Sequence, residues 1–285
     1  MSEVATVERL QPEEGERPLS ALVPDADSPN LVPAKLPAWG ILIGPVAAVL
    51  VWQLASTLGL LSPRTLASPL TAVLTGVDML ADGTLMPHLL ASAQRAYLGL
   101  AFGVASGVIC ALLAGLTRSG EAAIDGLVQV KRAIPTLALI PLGILWLGIG
   151  ETMKVVLIAI SVFVPIYINT HAGLDGIDLR YADLARTLCL DRTSFVWKVA
   201  LPSALPSFLT GLRLAVTTSW TSLVVLEQIN TTDGIGYLMS RARDFGQSDV
   251  IVVGLGIYAV LGLVSDIAVR ALERWALRYR SSFGG

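Results

Sequence analysis

The chain has 285 residues, of which 54% are hydrophobic and 15% charged, and its mean hydropathy is +0.68. An average soluble domain carries roughly 25% charged residues, so this composition excludes a soluble globular protein. The net charge of −2 identifies no partner, because the sign changes along the chain.

Residues 1–37 hold Glu3, Glu8, Glu13, Glu14, Glu16, Asp25 and Asp27 against Arg9, Arg17 and Lys35, and are punctuated by Pro12, Pro18, Pro24, Pro29 and Pro33. The stretch has neither a basic start nor an apolar core, so it does not read as a secretory signal. Low hydrophobicity with proline predicts a disordered cytoplasmic tail, for which a regulatory segment and a plain solvated extension both remain open. Residues 38–280 read as one transmembrane domain, and 281–285 as a short C-terminal tail.

Within 38–280 the apolar runs predict an all-α polytopic membrane protein with about six transmembrane helices. The first is expected near 39–60, opening on Trp39 as an interfacial anchor. The stretch 62–87, with Pro63, Pro69, Asp78, Asp82 and Pro87, is too polar to cross and predicts a short amphipathic helix. The second span is expected near 95–116. There Gly99, Gly103, Gly107, Ala111 and Gly115 recur every four residues and stack on one helix face, letting another backbone approach closely. Packing within the subunit and a seam between two copies both fit this ladder. The third span, near 127–147, contains Pro135 and Pro141, each of which frees a backbone carbonyl that neighbours or water must satisfy. That suits a helix beside a wet pathway or a packing kink. The fourth, fifth and sixth spans are expected near 154–172, 208–228 and 250–271.

Lysine and arginine set the orientation. Arg180, Arg186, Arg192 and Lys198 lie between the fourth and fifth spans, and Arg270, Arg274, Arg278 and Arg280 at the C-terminal end. An even number of spans then places both termini and the 180–206 loop in the cytoplasm. That loop is far longer than a connection requires. Leu184 and Leu188 form an i, i+4 pair, Phe195, Val196 and Val199 a second apolar face, and Leu190-Asp191 lies between the two turns. Pro202 is expected to end the second turn and Pro206 to open the fifth span. A helix–turn–helix on the inner membrane face follows, able to plug into a groove or to lie on the headgroups.

This hairpin resembles the cytoplasmic coupling loop of permease subunits of bacterial ATP-binding-cassette importers, with the pattern EAA-x3-G-x9-I-x-LP. Asp183-Leu184-Ala185 occupies the EAA position, Cys189 the glycine, Val199 the isoleucine, and Leu201-Pro202 the ending. The departures are a shortened acid, Leu for the first Ala, and Cys for Gly. If the glycine position needs a left-handed backbone, cysteine there costs energy. The segments 132–151, 201–216, 234–244 and 265–275 are similar to the nitrate, sulfonate and taurine importer permeases in particular. The resemblance implies a homodimeric permease, two copies of a separate ATPase subunit, a periplasmic or lipid-anchored solute-binding protein, and alternating access in a bacterial inner membrane. It also implies that Asp183, Leu184, Ala185, Cys189, Val199, Leu201 and Pro202 form the coupling surface, with Arg186 and Arg192 as polar contacts.

The chain has no G-x4-G-K-[ST], and none of Lys35, Lys131, Lys154 and Lys198 follows a glycine, so no phosphate-cradling loop is encoded. Magnesium-ATP would be used by the partner ATPase, and this chain is expected to bind no cofactor and to catalyse nothing. Cys110 and Cys189 should lie at different depths, and no cluster has metal-ligand spacing. Nucleic acid is not an expected partner; membrane lipid is. Among ionisable groups in the spans, Glu227 either lines the pathway or caps near the outer interface, and Asp266–Arg270 reads as a structural i, i+4 pair. Lys131 and Arg132 read as cytoplasmic anchors or an attraction for anions, and His88 and His171 as interfacial side chains without partners. The rival reading is an ion-coupled secondary transporter or channel acting without an ATPase, which needs intramembrane carboxylates, broken-helix sites or a polar pore.

Overall fold

A computed structural model describes residues 40–278 except 230, without the side chains of residues 41, 42, 179, 182 and 186. The expected tails, the Trp39 anchor and the Arg186 side chain therefore lie outside the described residues. Eleven α-helices follow in order: α1 (Gly40–Thr57), α2 (Pro69–Ala81), α3 (Leu85–Leu116), α4 (Arg118–Ala133), α5 (Ile140–Leu147), α6 (Glu151–Asp175), α7 (Leu179–Thr187), α8 (Arg192–Phe195), α9 (Leu201–Glu227), α10 (Ile235–Asp244) and α11 (Ser248–Ala276). No strand occurs among the described residues.

Among the described residues, four helical stretches are long and apolar enough to cross a membrane: α3, α6, the run Arg192–Glu227 that ends in α9, and α11. The expected third span is broken. α4 and residues 136–147 meet at 92°, because proline excludes the α conformation from the residue before it. Ile134 is accordingly extended, with φ −96° and ψ 116°. Pro135 therefore ends α4 outright, inside the stretch expected to form one span. Lys131 Nζ donates to Thr136 Oγ1 across the corner at 2.6 Å. Pro141 falls in the first turn of α5, where a helix has no use for the missing N–H.

The amphipathic helix expected in 62–87 is α2. Ser68 caps it by accepting the Thr71 N–H at 3.1 Å, with Pro69 opening the first turn. Beyond its end the Thr84 N–H and hydroxyl donate to Asp82 at 2.9 and 2.7 Å, holding that carboxyl below the usual carboxylate range. Helix α3 begins ten residues before the expected second span. Its first turns carry His88, Ser92, Gln94 and Arg95, of which Ser92 and Arg95 are buried by protein.

Helix α6 runs through the core, contributing Met153, Leu157, Ile158, Val162 and Ile166 to the main apolar cluster. The glycine ladder packs against it within the same chain. A Cβ on Gly103 would sit 2.6 Å from the Ala159 carbonyl oxygen and 2.6 Å from Val162, and one on Gly107 would sit 2.8 Å from Ile166. Gly99 faces Ile158 and Val155, and Gly115 faces Leu174, in the same way.

The hairpin differs from expectation at its second half. Pro202 does not end a turn. Instead α8 passes through one π turn, Val196–Ala200, directly into α9. The Leu201 N–H reaches back five residues to the Val196 carbonyl, so the ladder is already re-registered where proline lacks its donor. Cys189 has φ +50°, so the glycine position of the pattern does take a left-handed backbone here, and among the described residues no other non-glycine has a positive φ. The Leu190 N–H bonds the Ala185 carbonyl at 2.9 Å, closing a Schellman-type end to α7 around Cys189. A non-glycine residue in this region costs about 1–2 kcal/mol. Cys189→Gly is therefore expected to stabilise the hairpin by about 1 kcal/mol, read as slower proteolysis at residues 185–192; an unchanged rate would mean that the strain is relieved elsewhere.

Candidate functional site

The hairpin is built on α7, α8 and the π turn, and its foot is fastened to the spans. Phe195, Ala200 and Ala204 pack with Leu174, Leu112 and Leu116. Arg192 Nη2 donates to the Leu116 carbonyl at 2.7 Å, satisfying an orphan acceptor at the C-terminus of α3. Asp191 caps α8 by accepting the Ser194 N–H at 3.4 Å, and the Ser194 hydroxyl and N–H hold its carboxyl below the ordinary value. Ala185 is buried, while Val199 and Leu201 are half-buried at the root. Asp183 and Pro202 are exposed. The exposed apolar surface of the hairpin consists of Leu184, Leu188 and Tyr181 on α7 and Trp197 on the π turn, each more than half exposed, with Trp197 lining a pocket beside Val108 and Thr170 of the spans. A pocket of about 580 Å³ opens between α7 and the π turn, lined by Asp178, Tyr181, Lys198 and Val199 among others. On α7 the motif positions Asp183 and Leu184 form an exposed rank beside the buried Ala185, while at the root of α9 Val199 and Leu201 are half-buried and Pro202 is exposed.

At the other end of α9, roughly 40 Å away by helical rise, lies an ionic network that the sequence reading missed. Arg95, 3% exposed, donates from Nη1 to Glu227 Oε1 at 2.7 Å and to the Asp233 carbonyl at 3.0 Å, from Nη2 to Glu151 Oε1 at 2.8 Å, and also pairs with the Asp233 carboxylate. Glu227 is fully buried. Its carboxylate accepts from Arg95, from Ser92 Oγ at 2.8 Å, from the Tyr258 hydroxyl at 2.8 Å and from the Gly236 N–H at 2.9 Å. Lys154 joins through Glu151 at 2.8 Å. His88, read as partnerless, accepts the Gly234 N–H at Nδ1 over 3.0 Å, and His171 lies 3.1 Å from Asp175 through its own Nδ1.

The two glycines of 234–236 fit this network. Gly234 has φ +106°, and a Cβ there would meet Glu227 Oε1 at 2.5 Å; one on Gly236 would meet the Glu227 Cβ at 2.5 Å. Five segments are tied by the two charges Arg95 and Glu227. The pocket beside them, about 370 Å³, is lined by Gln94, Arg95, Glu151, Thr232 and Asp233 and leaves Glu227 enclosed behind. Glu227 thus sits in a packed hub, with every part of its carboxylate engaged by protein donors. A lone acid closing an apolar run was the available signal that a buried cation had to lie nearby; what it did not reveal was which one.

Near the hairpin end, Asp266 accepts from Arg270 Nε at 2.8 Å, as its i, i+4 spacing predicts, and also from Arg213 Nε of α9 at 2.8 Å. The second arginine was not foreseen.

Comparison with known proteins covers most of the chain. Residues 103–278 match the family described as binding-protein-dependent transport system inner membrane component. The SsuC protein of Escherichia coli (strain K12), named as an aliphatic sulfonates transport permease, is 44% identical over 239 residues, covering 84% of this chain and 91% of that one. Its namesake in Bacillus subtilis (strain 168) is 39% identical over 246 residues, covering 86% and 89%. The taurine transport system permease protein TauC of Escherichia coli (strain K12) is 35% identical over 238 residues, covering 81% and 86%. A crystal structure of an amino acid ABC transporter superposes with a TM-score of 0.57 at 20% identity over 70% of this chain and 97% of that one. The MetNI methionine ABC transporter in an inward-facing conformation gives 0.53 at 19%, over 65% and 94%; at these identities the likeness is one of fold. With its hairpin, its helical membrane-spanning core and these matches, the chain belongs to the family of inner membrane permease components of binding-protein-dependent transport systems.

Proposed function

We propose that this chain is the translocating subunit of an ATP-driven importer whose cargo is a small sulfonate-type anion, with aliphatic sulfonates, taurine and nitrate as the class to test first. Support for the cargo comes from the names carried by the SsuC and TauC relatives. In this reading two copies form the pathway, two ATPase subunits grip the hairpins from the cytoplasm, and a solute-binding protein delivers cargo on the outer side of a bacterial inner membrane. Both termini then lie in the cytoplasm.

The observation that carries the proposal is mechanical. The helical run from Arg192 to Glu227 is continuous, so a displacement of the hairpin is delivered along one unbroken helix to the core. Closure of the ATPase dimer around ATP would draw two such helices together, and release of ADP and phosphate would let them part. Of the features that an ion-coupled transporter working alone would use, the intramembrane carboxylate of Glu227 is enclosed by four protein donors, on Ser92, Arg95, Gly236 and Tyr258, in a site of 0% exposure.

The test targets the exposed rank of α7. Leu184→Asp with Leu188→Asp puts two charges where an apolar surface would be buried, at a cost of several kcal/mol for burying unpaired charge. The double variant is expected to insert and to be recovered from membranes normally, while recovery of the co-expressed ATPase falls at least about tenfold. Full ATPase recovery would remove the docking role from α7.

A further inference from the structure

The outward face of α9 is more polar than that of α11, another long apolar helix that it packs against. Between residues 205 and 225 its exposed positions are Thr210, Leu214, Thr217 and Thr221. The hydroxyls of Thr210, Thr217 and Thr221 donate to the carbonyls of Pro206, Arg213 and Thr217 at 3.1, 3.2 and 2.9 Å. Each hydroxyl proton is thereby satisfied along the helix while the oxygen remains at the surface. The stripe extends about 16 Å along the axis, roughly half of a hydrocarbon core. Helix α11 shows the contrast: its exposed side carries Leu255, Val260, Leu263, Val264 and Ile267.

At the edge of the stripe stands Arg213, with 43% of its side chain exposed. Its Nε is bound to Asp266, but Asp266 is also held by Arg270 through Nε and Nη2, at 2.8 and 2.7 Å. Two guanidiniums share one carboxylate, so the cluster keeps one positive charge in excess. Arg213 commits one of its five N–H donors to that carboxylate. Inside a span such a charge calls for water or an anion.

From these two observations we infer that the Thr210–Thr221 face of α9 lines an aqueous route through the membrane, and that Arg213 is the contact for the oxyanion group of the cargo. The inference rests on the importer reading above and deepens it by naming a wall of the pathway. A phospholipid headgroup offers the same phosphate-type oxyanion chemistry, and the experiment separates the two sources.

Single cysteines at Thr217 or Thr221, and at Leu263 on α11 as a lipid-facing reference, are placed in a Cys110→Ala, Cys189→Gly background of the full chain in membrane vesicles. Two membrane-impermeant thiol reagents of similar size are compared: the anionic 2-sulfonatoethyl and the cationic 2-trimethylammonioethyl methanethiosulfonates. Because only a hydrated thiolate reacts, Thr217→Cys and Thr221→Cys are expected to label at least about tenfold faster than Leu263→Cys. Adding Arg213→Gln to Thr217→Cys is expected to lower the anionic-to-cationic rate ratio by about threefold or more, and Arg213→Lys to preserve it. Neither reading requires ATP, cargo or a functioning hairpin, so failure here is distinct from failure of the docking test. Labelling no faster than at Leu263→Cys would overturn the route, the face then being covered by lipid or by a second copy. An unchanged ratio in Arg213→Gln, with loss of co-purified anionic phospholipid, would overturn the cargo contact in favour of a headgroup.

Discussion

Arg95→Ala is expected to be the most damaging single substitution in the core, lowering stability by about 3–5 kcal/mol, the range for removing one partner of a buried ion pair. The Glu227 carboxylate would stay behind at zero exposure, and Glu151 and Asp233 would lose their common cation. The loss is not confined to one contact, since Arg95 ties α3 to the start of α6, the end of α9 and the segment before α10. The check is recovery of monodisperse protein from detergent and its apparent melting temperature. Glu227→Gln isolates the charge from the hydrogen bonds: its amide oxygen still accepts from Gly236 and Tyr258, but the pairing with Arg95 is gone. It is expected to fall between wild type and Arg95→Ala. Equal stability of all three proteins would show that the network closes only in another state of the transporter.

What was legible in the sequence followed from local patterns. The ladder from Gly99 to Gly115 and the i, i+4 pair Leu184–Leu188 are periodicities, and periodicity survives folding. Cys189 could be placed because it stands at the glycine position of the coupling-loop pattern that the hairpin resembles. What was not legible was set by tertiary contact. Arg95 looked like the polar edge of a span, and only the approach of residues 151, 227 and 233 shows it to be the centre of a hub. The same holds for Arg213, whose partner Asp266 is 53 residues away. Pro135 and Pro202 illustrate the opposite limit. Proline removes a donor in both, yet one ends a helix at 92° and the other rides on a π turn. The local rule names the defect, while the neighbouring structure decides how it is accommodated.

Gly103→Leu tests the packing that holds this architecture upright. Its effect is expected to reach about 3 kcal/mol or more, the upper range for overpacking a close-packed interface. The reason for placing it so high is the identity of the obstacle. A Cβ at residue 103 would stand 2.6 Å from the backbone oxygen of Ala159, and a carbonyl in the middle of α6 cannot rotate away as a side-chain tip can. The two helices must separate, which would also strip Gly99 and Gly107 of their contacts with Ile158 and Ile166. Gly262→Leu on α11 is the matched control, because nothing lies within 4 Å of the position its Cβ would take. The first variant is expected to lose most of its folded material on heating in detergent and the second to behave as wild type. Because α6 also carries Lys154 and Glu151 to Arg95, separation of the α3–α6 seam should loosen the ionic hub as well. Trypsin cleavage after Arg95 or Lys154, closed in the native protein, then becomes the sensitive measure of the defect. Intact resistance at both sites in Gly103→Leu would mean that α3 and α6 are not held together along this face.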